Sequence, residues 1–379
     1  MEFIVNSQEF FKQLQTVSSV LTSSNTVPII NCFHFHLDES KLTVKATDLD
    51  TTFVTSFAVE TGAVVGRDEI AIQGKKLLEI LKSMGDTSLK LEVDDATLSV
   101  RITSGSGDYH LAGADPETFP SLNLPENTVS TTMKASALVS AITKTIFATG
   151  SDELRPQMSG IYCELTPTQT TFVSTDSHKM VRLIRKDIVC DESVNFILPK
   201  KPITIVKSAM SAVTEDLDVR MEFNNTNVAF HFGESSIYCQ LIEGQYPNYN
   251  AAIPKENPNK MTIDRSSLLN ALHRVGIFAN PSTHQIRLGV GGLELDISTE
   301  DIESANAANE KLPYSYDGES FDIGFNEKFL SEMISNIDTE HILITLSNPT
   351  RAGIIFPVEE KDDNPEDLLM LVMPVMLNR

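Results

Sequence analysis

The stretch Thr175-Asp176-Ser177-His178-Lys179 puts a hydroxyl, a carboxylate, an imidazole and an amine on neighbouring residues. These types build hydrolase and phosphotransferase sites, where a nucleophile, a base and an orienting group must converge in space. No second Asp/His cluster, glycine-rich phosphate loop or Gly-x-Ser-x-Gly elbow accompanies it in the sequence. The stretch therefore reads as a turn closing a strand, and no catalytic residue is expected. His34 and His36 alternate on one strand face and would hold a metal only with a third ligand, so they read as a surface pair. Gly289-Val290-Gly291-Gly292 reads as a hairpin turn rather than a nucleotide loop. Cys32, Cys163, Cys190 and Cys239 are widely spaced, without a Cys-x-x-Cys pair. They read as free, mostly buried thiols of a cytosolic protein, with no metal or cofactor.

The elements that carry these residues are repeated. Phe3-Ile4-Val5-Asn6-Ser7-Gln8-Glu9-Phe10, Thr132-Met133-Lys134-Ala135-Ser136-Ala137-Leu138 and Met261-Thr262-Ile263-Asp264-Arg265-Ser266-Ser267-Leu268 share a strand, a polar step and an amphipathic helix. Ser7, Ser136 and Asp264 are the expected N-caps. Thr47-Asp48 recurs as Thr175-Asp176, and Phe119-Pro120 as Tyr246-Pro247. Second helices are expected from Lys75-Lys76, Lys200-Lys201-Pro202 and Asn326-Glu327-Lys328, each followed by alternating strand-type residues. Each unit thus reads β-α-β-β-β twice over. The expected fold is α+β: three similar domains at 1–125, 129–254 and 259–379, with linkers at Asn123–Thr128 and Pro254–Asn259. In each, two helices share one face of a long antiparallel sheet. Two such chains placed head to tail would close a ring of six domains.

The chain has 379 residues and a formal net charge of −22, from 52 Asp and Glu against 30 Lys and Arg. Such acidity argues against a nucleic-acid binder, unless the cations are gathered in one place. They are gathered on the helices. The six helical stretches carry a net +7, which leaves −29 for the rest of the −22 chain. The opening Met1-Glu2-Phe3-Ile4-Val5 lacks the basic start and apolar run of a signal peptide. The longest apolar run, Leu368 to Leu377, is broken by Pro374. It falls well short of the ~20 residues of a membrane span, so no membrane is expected.

In order and spacing, these residues resemble the bacterial DNA polymerase III beta-subunit family, the sliding clamps. The resemblance rests on Phe3-Ile4-Val5 with Thr26-Val27-Pro28-Ile29-Ile30, and on Thr47-Asp48-Leu49-Asp50. It continues through Asp152-Glu153-Leu154-Arg155-Pro156 with Ser159-Gly160-Ile161, and through Thr175 to Met180. Gly244-Gln245-Tyr246-Pro247-Asn248-Tyr249, Gly324-Phe325-Asn326 and Val372-Met373-Pro374-Val375 complete it. The resemblance implies a cytoplasmic, non-catalytic homodimeric ring. It implies that the ring encloses duplex DNA without reading sequence, and tethers the polymerase III catalytic subunit, the clamp loader and other replication and repair proteins. These partners would dock short linear peptides in a groove of Met158, Thr175, Ser177, His178, Lys179, Met180, Pro247, Asn326, Phe329, Met373, Pro374, Val375, Met376 and Leu377. The DNA-facing cations implied are Lys12, Lys75, Lys76, Lys82, Lys144, Lys200, Lys201, Lys207, Arg265 and Arg274. The dimer contact implied joins Tyr109 and Leu111 to Ile277 and Phe278, with Arg101 facing Glu300-Asp301-Glu303.

Three places depart from the family pattern. Ser23-Ser24-Asn25 replace a common basic residue, Asn250-Ala251-Ala252 a common arginine, and Met376-Leu377-Asn378-Arg379 an Arg-Leu ending. The competing readings are an enzyme of polar-substrate chemistry on three repeated domains, and a repeat-built scaffold that does not engage DNA.

Overall fold

The computed structural model describes residues 1–24, 26–61, 66–122, 124, 126–211, 216–358 and 364–377. Asn25, Asn123, Pro125, Asn378 and Arg379, singled out above, lie outside the described residues.

The first repeat opens with β1 (Glu2–Asn6), α1 (Ser7–Val17), β2 (Cys32–Asp38), β3 (Lys41–Thr47) and β4 (Thr51–Ala58). After the short β5 (Glu60–Thr61), its second half is β6 (Glu69–Gln73), α2 (Gly74–Ser83), β7 (Ser88–Val93), β8 (Ser99–Ser104) and β9 (Gly107–Ala114). The middle repeat runs β10 (Val129–Lys134), α3 (Ala135–Ile146), β11 (Gly160–Leu165), β12 (Thr170–Thr175) and β13 (Lys179–Arg185). It continues with β14 (Val194–Pro199), α4 (Lys200–Ser211), β15 (Asp218–Phe223), β16 (Asn227–Phe232) and β17 (Ser235–Gln240). The last repeat begins β18 (Asn259–Asp264), α5 (Arg265–Gly276), β19 (Gln285–Val290), β20 (Glu294–Asp301) and β21 (Asn306–Pro313). Past the short β22 (Ser315–Asp317) come β23 (Phe321–Asn326), α6 (Glu327–Ser335), β24 (His341–Leu346), β25 (Gly353–Pro357) and β26 (Glu366–Val372). The β-α-β-β-β half therefore occurs six times, as the sequence pattern requires.

Local chemistry explains the repeats. On α1, Phe10, Leu14 and Val17 are buried at helical spacing, while β1 buries Phe3 and Val5 by strict alternation. Phe3 and Phe10 meet edge to face, with ring centroids 6.0 Å apart. The caps differ from expectation in two of three repeats. Asn6, not Ser7, accepts from the Gln8 and Glu9 N–H groups, because the Ser7 hydroxyl is turned to the Gly85 carbonyl. At α3, both the Ser136 N–H and its hydroxyl donate to Asp216, 80 residues away. Asp264 caps α5 as expected, accepting from the Ser267 N–H at 2.7 Å.

The chain divides into two compact units: Met1–Ser136 with Lys201–Leu241, and Ala137–Lys200 with Ile242–Arg379. The cut falls inside the middle repeat, because sheets run on from one repeat to the next. The first unit holds a 13-stranded sheet, β10-β15-β16-β17-β4-β3-β2-β6-β9-β8-β7-β1-β5. Within it, β17 pairs antiparallel with β4, Ser235 opposite Thr55 through Cys239 opposite Thr51. The second unit holds a nine-stranded sheet, β14-β11-β12-β13-β26-β25-β24-β18-β22, and a four-stranded sheet, β21-β20-β19-β23. There β13 pairs with β26, Lys179 opposite Val372 through Arg185 opposite Glu366. The middle and last repeats thus each split their strands between two sheets, where one sheet per domain was expected. The stretch before β18 is no loose linker. Asn257 donates to the Thr345 and Ala352 carbonyls, and the buried Asn259 donates to those of Leu346 and Ser347.

Replacing Asn6 by Ala removes both the helix cap and the Asn6–Asp86 hydrogen bond. The expected cost is about 1 kcal/mol, read as a lowered denaturation midpoint of the first unit. The Ser7→Ala variant should lose its bond to Gly85 while keeping the cap.

Candidate functional site

The Thr175–Lys179 stretch is a hairpin turn between β12 and β13, held by its own side chains. The Thr175 hydroxyl donates to the Lys179 carbonyl at 2.7 Å and accepts from the Ser177 N–H at 3.1 Å. Asp176 accepts the His178 and Lys179 N–H groups, both at 2.9 Å. Ser177 sits at a φ of +79°, the left-handed region that few non-glycine residues adopt. Its hydroxyl oxygen accepts from Arg155 Nη1 at 2.7 Å and lies 3.6 Å from the Met158 sulfur. The His178 ring is turned away, stacked on Phe329 with centroids 5.8 Å apart. Among the described residues Ser177, His178 and Asp176 therefore form no proton relay: the Ser177 and Asp176 oxygens are bonded to Arg155 and the turn backbone, and the His178 ring is stacked away from them.

The first repeat carries the same turn. There Thr47 donates to the Thr51 carbonyl, Asp48 accepts the Asp50 and Thr51 N–H groups, and Leu49 has a φ of +86°. The Thr-Asp pair is thus a device of the fold, and the residues that differ carry what is particular to the second turn: Ser177, His178 and Lys179 in place of Leu49, Asp50 and Thr51.

Lys179 is buried, ion-paired with Glu332 on α6 and 3.8 Å from Asp176. Its ammonium also lies 5.1 Å from the Phe329 ring centroid and 5.8 Å from that of Phe147. A buried cation needs such partners, and here they tie α6 to β13. The chain after β26 joins the same place. The Met373 N–H donates to the His178 carbonyl at 2.8 Å, and the Val375 N–H to the Gly324 carbonyl at 2.9 Å. Gly324 permits this approach, since a Cβ there would stand 2.6 Å from the Val375 carbonyl oxygen and 2.8 Å from the Leu377 side chain. Met373 and Met376 are exposed, and Pro374, Val375, Leu377 and Phe329 are half-buried. Pro247 is exposed beside Tyr246, which is buried and stacked on Tyr162. Asn326 caps α6 by accepting the Phe329 N–H. Thr175 and Met180 sit in the core and hold the wall more than they line it; Met180 packs with Val173, Ile197, Tyr246 and Leu371. Phe147 and Glu332 escaped sequence reasoning, and Arg155 and Gly324 stood out only as members of family-like motifs. The -Arg155-Pro156- motif was visible, but its hydrogen bond to Ser177 was not.

The ten expected DNA-facing cations are of two kinds. Lys12, Lys75, Lys76 and Lys82 are exposed, Lys207 half-exposed, and none forms an ion pair among the described residues. Lys200 is exposed too. Others are already engaged. Lys144 is half-buried against Glu366 and Asp338, Lys201 pairs with Asp48, and Arg274 forks onto Glu310. Arg265 donates from Nε to the Thr339 carbonyl. Lys144 in particular is withdrawn from solvent, contrary to the expectation of a phosphate contact. The actual helices still carry a net +7 against the chain's −22.

Of the expected dimer residues, Ile277 and Phe278 are 78% and 41% exposed beyond the end of α5, and Tyr109 is 40% exposed on β9. Leu111 is buried. Arg101 is held by Asp108 through two bonds of 2.9 Å and Asp301 accepts from Asn280, while Glu300 and Glu303 are exposed. His34 and His36 also depart from expectation. His34 is buried against Phe119, with ring centroids 5.0 Å apart. Both imidazoles approach Glu69, at 3.8 and 3.3 Å, yet no three-ligand metal group occurs among the described residues.

Three β-α-β-β-β pairs joined edge to edge define a three-domain α+β fold of the clamp class. Three family models cover the chain. The N-terminal domain of the DNA polymerase III beta subunit matches residues 1–125, its central domain 132–248 and its C-terminal domain 250–375. The beta sliding clamp of Synechococcus elongatus is 26% identical over 386 residues, and that of Pseudomonas putida 25% over 379, each covering 100% of both chains. The fold matches a Pseudomonas aeruginosa DnaN sliding clamp bound to griselimycin, with a TM-score of 0.92 at 24% identity. It also matches a Bacillus subtilis DNA polymerase sliding clamp, with a TM-score of 0.91 at 21% identity, and both comparisons span 100% of each chain. The chain belongs to the DNA polymerase III beta subunit family. That family is the beta sliding clamp, a processivity factor rather than a catalytic subunit.

Gly324→Ala should dislodge Val375 to Leu377 without unfolding β23, seen as faster amide exchange at Val375 and unchanged exchange at Ile323. Burial holds the His34 imidazole below its ordinary value, with Lys45 and His36 adding to that and Glu69 opposing it. The unfolded chain takes up a proton as pH falls below about 6.5, and folded His34 resists it. Stability of the first unit should therefore fall from about pH 6.5 downward, and the slope should flatten in His34→Gln.

Proposed function

We propose that two copies of this chain pair head to tail around duplex DNA and hold the polymerase III catalytic subunit and other replication proteins there. The domains are taken at 1–125, 129–254 and 259–379, in a protein of the cytoplasm; no helix among the described residues is long and apolar enough to cross a membrane.

The observation that carries this reading is the strand-edge pattern. Each half-repeat ends in a strand at a sheet junction or edge. Within the chain, β4 pairs with β17 and β13 with β26, each time the first half of one repeat with the second half of the next. Two terminal strands are left over. Among the described residues, β21 pairs only with β20, and β9 beyond β8 only through Gly113 and Ala114 with β6. By the same rule, β21 of one copy pairs with β9 of another, and repeating the contact closes a two-fold ring. The exposed Tyr109, Ile277 and Phe278 then gain cover.

Encirclement also suits the charge. A closed ring stays on DNA by topology, so its contacts can be weak. Exposed lysines such as Lys12, Lys75, Lys76 and Lys82 supply phosphate attraction without sequence readout. The groove of Met158, Ser177, His178, Pro247, Phe329, Met373 and Met376 suits a short peptide with Leu and Phe anchors, since methionine adapts to several partners.

The Gly113 N–H donates toward β8, to the Leu98 carbonyl, so alternation along β9 aims the His110 N–H at the free edge. His110→Pro should remove that outward donor while sparing the β8 ladder. Light scattering should give about twice 41.8 kDa for the parent and a shift toward 41.8 kDa for the variant. After loading, the parent should stay on nicked circular DNA and leave linear DNA by its ends. A monomeric parent, or equal retention on both DNAs, would sink the reading. Lys75→Ala with Lys76→Ala should lower the salt slope of DNA binding by about 2 and leave the dimer intact.

A further inference from the structure

We infer that the partner segment seated at the Thr175–Lys179 turn carries lysine or arginine beside its apolar anchors; this rests on the groove reading above. The floor of the groove is apolar, and its rim is not neutral. Arg155, the exposed cation next to Ser177, is already matched by Asp152 at 2.9 Å. Lys179 faces two carboxylates, Asp176 and Glu332. Its own side chain is only 7% exposed, whereas that of Glu332 is 41% exposed, so solvent and any ligand meet the acid rather than the base.

Two further carboxylates stand at the rim without an ion pair among the described residues. Glu153 is exposed between Asp152 and Arg155. Glu243 is exposed on the segment whose next residue, Gly244, crowds Gln157 beside Met158: a Cβ on Gly244 would lie 2.7 Å from Gln157 Nε2. The cations of this rim are consumed by its own acids; Glu153 and Glu243 are left over, and Glu332, though paired with Lys179, stays partly open to solvent. A carboxylate on the incoming peptide meets like charge here. A lysine or arginine finds partners without displacing any existing pair. The chain's net charge of −22 has the same sign, so nothing at longer range opposes the preference.

The test uses the full-length protein and three fluorescent peptides sharing one Leu/Phe-anchored core. The core is flanked by glutamine, lysine or glutamate pairs, and binding is read by anisotropy. The lysine-flanked peptide should bind about tenfold tighter than the glutamate-flanked one at low salt, narrowing to about twofold at 0.5 M NaCl. In the Glu153→Gln, Glu243→Gln double variant the low-salt gap should shrink about threefold, with the glutamine-flanked peptide unaffected. If the glutamine-flanked peptide fails to bind the parent, the groove reading itself falls. If it binds but the lysine and glutamate peptides are equal, only the basic-flank inference falls. A gap that the double variant leaves untouched would trace the preference to the whole protein's charge and overturn it as well.

Discussion

The structure depends on what becomes of β-sheet edges. An open edge is a row of unpaired N–H and C=O groups, and it must be covered, blunted or paired. This chain pairs them with its own repeats. β17 lies against β4, and β13 against β26, so the sheets are longer than any single repeat could make. The same continuity explains why compactness and repetition disagree about where the chain divides. The compact units cut the middle repeat in two, since β10 and β15–β17 belong to one sheet and β11–β14 to another. It also leaves β21, beyond β20, without a further strand partner among the described residues.

The legible part of the fold was the part fixed by neighbours in sequence. Phe10, Leu14 and Val17 are buried because they are spaced along one helix face, and Phe3 and Val5 because strands alternate. Asp264 could be read as a cap because its partner lies three residues on. What escaped is long-range. Ser136 lies near the start of its helix as expected, but its hydrogen-bond partner, Asp216, is 80 residues away, and Asn6 displaced Ser7 because Ser7 found Gly85. Among the cations, Lys144 is bound 222 residues away by Glu366 and Lys201 153 residues away by Asp48. No spacing rule reveals such pairs, so a charge count over helices gives the sign of a surface while misjudging which of its lysines are free.

The site teaches a related lesson about chemistry-bearing residues. Thr175-Asp176-Ser177-His178-Lys179 has the composition of an active centre, yet the first repeat holds the same turn around Leu49. What the fold needs there is a hydroxyl and a carboxylate to satisfy four backbone groups in a tight reversal. Repetition within one chain thus separates structural residues from functional ones without any alignment. By that criterion Thr175 and Asp176 belong to the architecture, and Ser177, His178 and Lys179 to what is particular to the second turn.

Lys179 shows how the groove keeps its shape. A lysine this buried is stable only if its charge is met, and here Glu332, Asp176 and the faces of Phe147 and Phe329 meet it. Because Glu332 and Phe329 lie on α6 while Lys179 begins β13, the cation fixes the helix against the strand. The tail from Met373 to Leu377 then has a rigid bed, and Gly324 lets it lie close enough to bond. On the proposed docking reading, an apolar surface built on such a bed would cost little further ordering when a peptide arrives, which favours short segments whose own contact area is small. On that same reading, rigidity below and methionine flexibility at the surface would be complementary: the first limits the entropy lost on binding, and the second lets one surface fit several sequences.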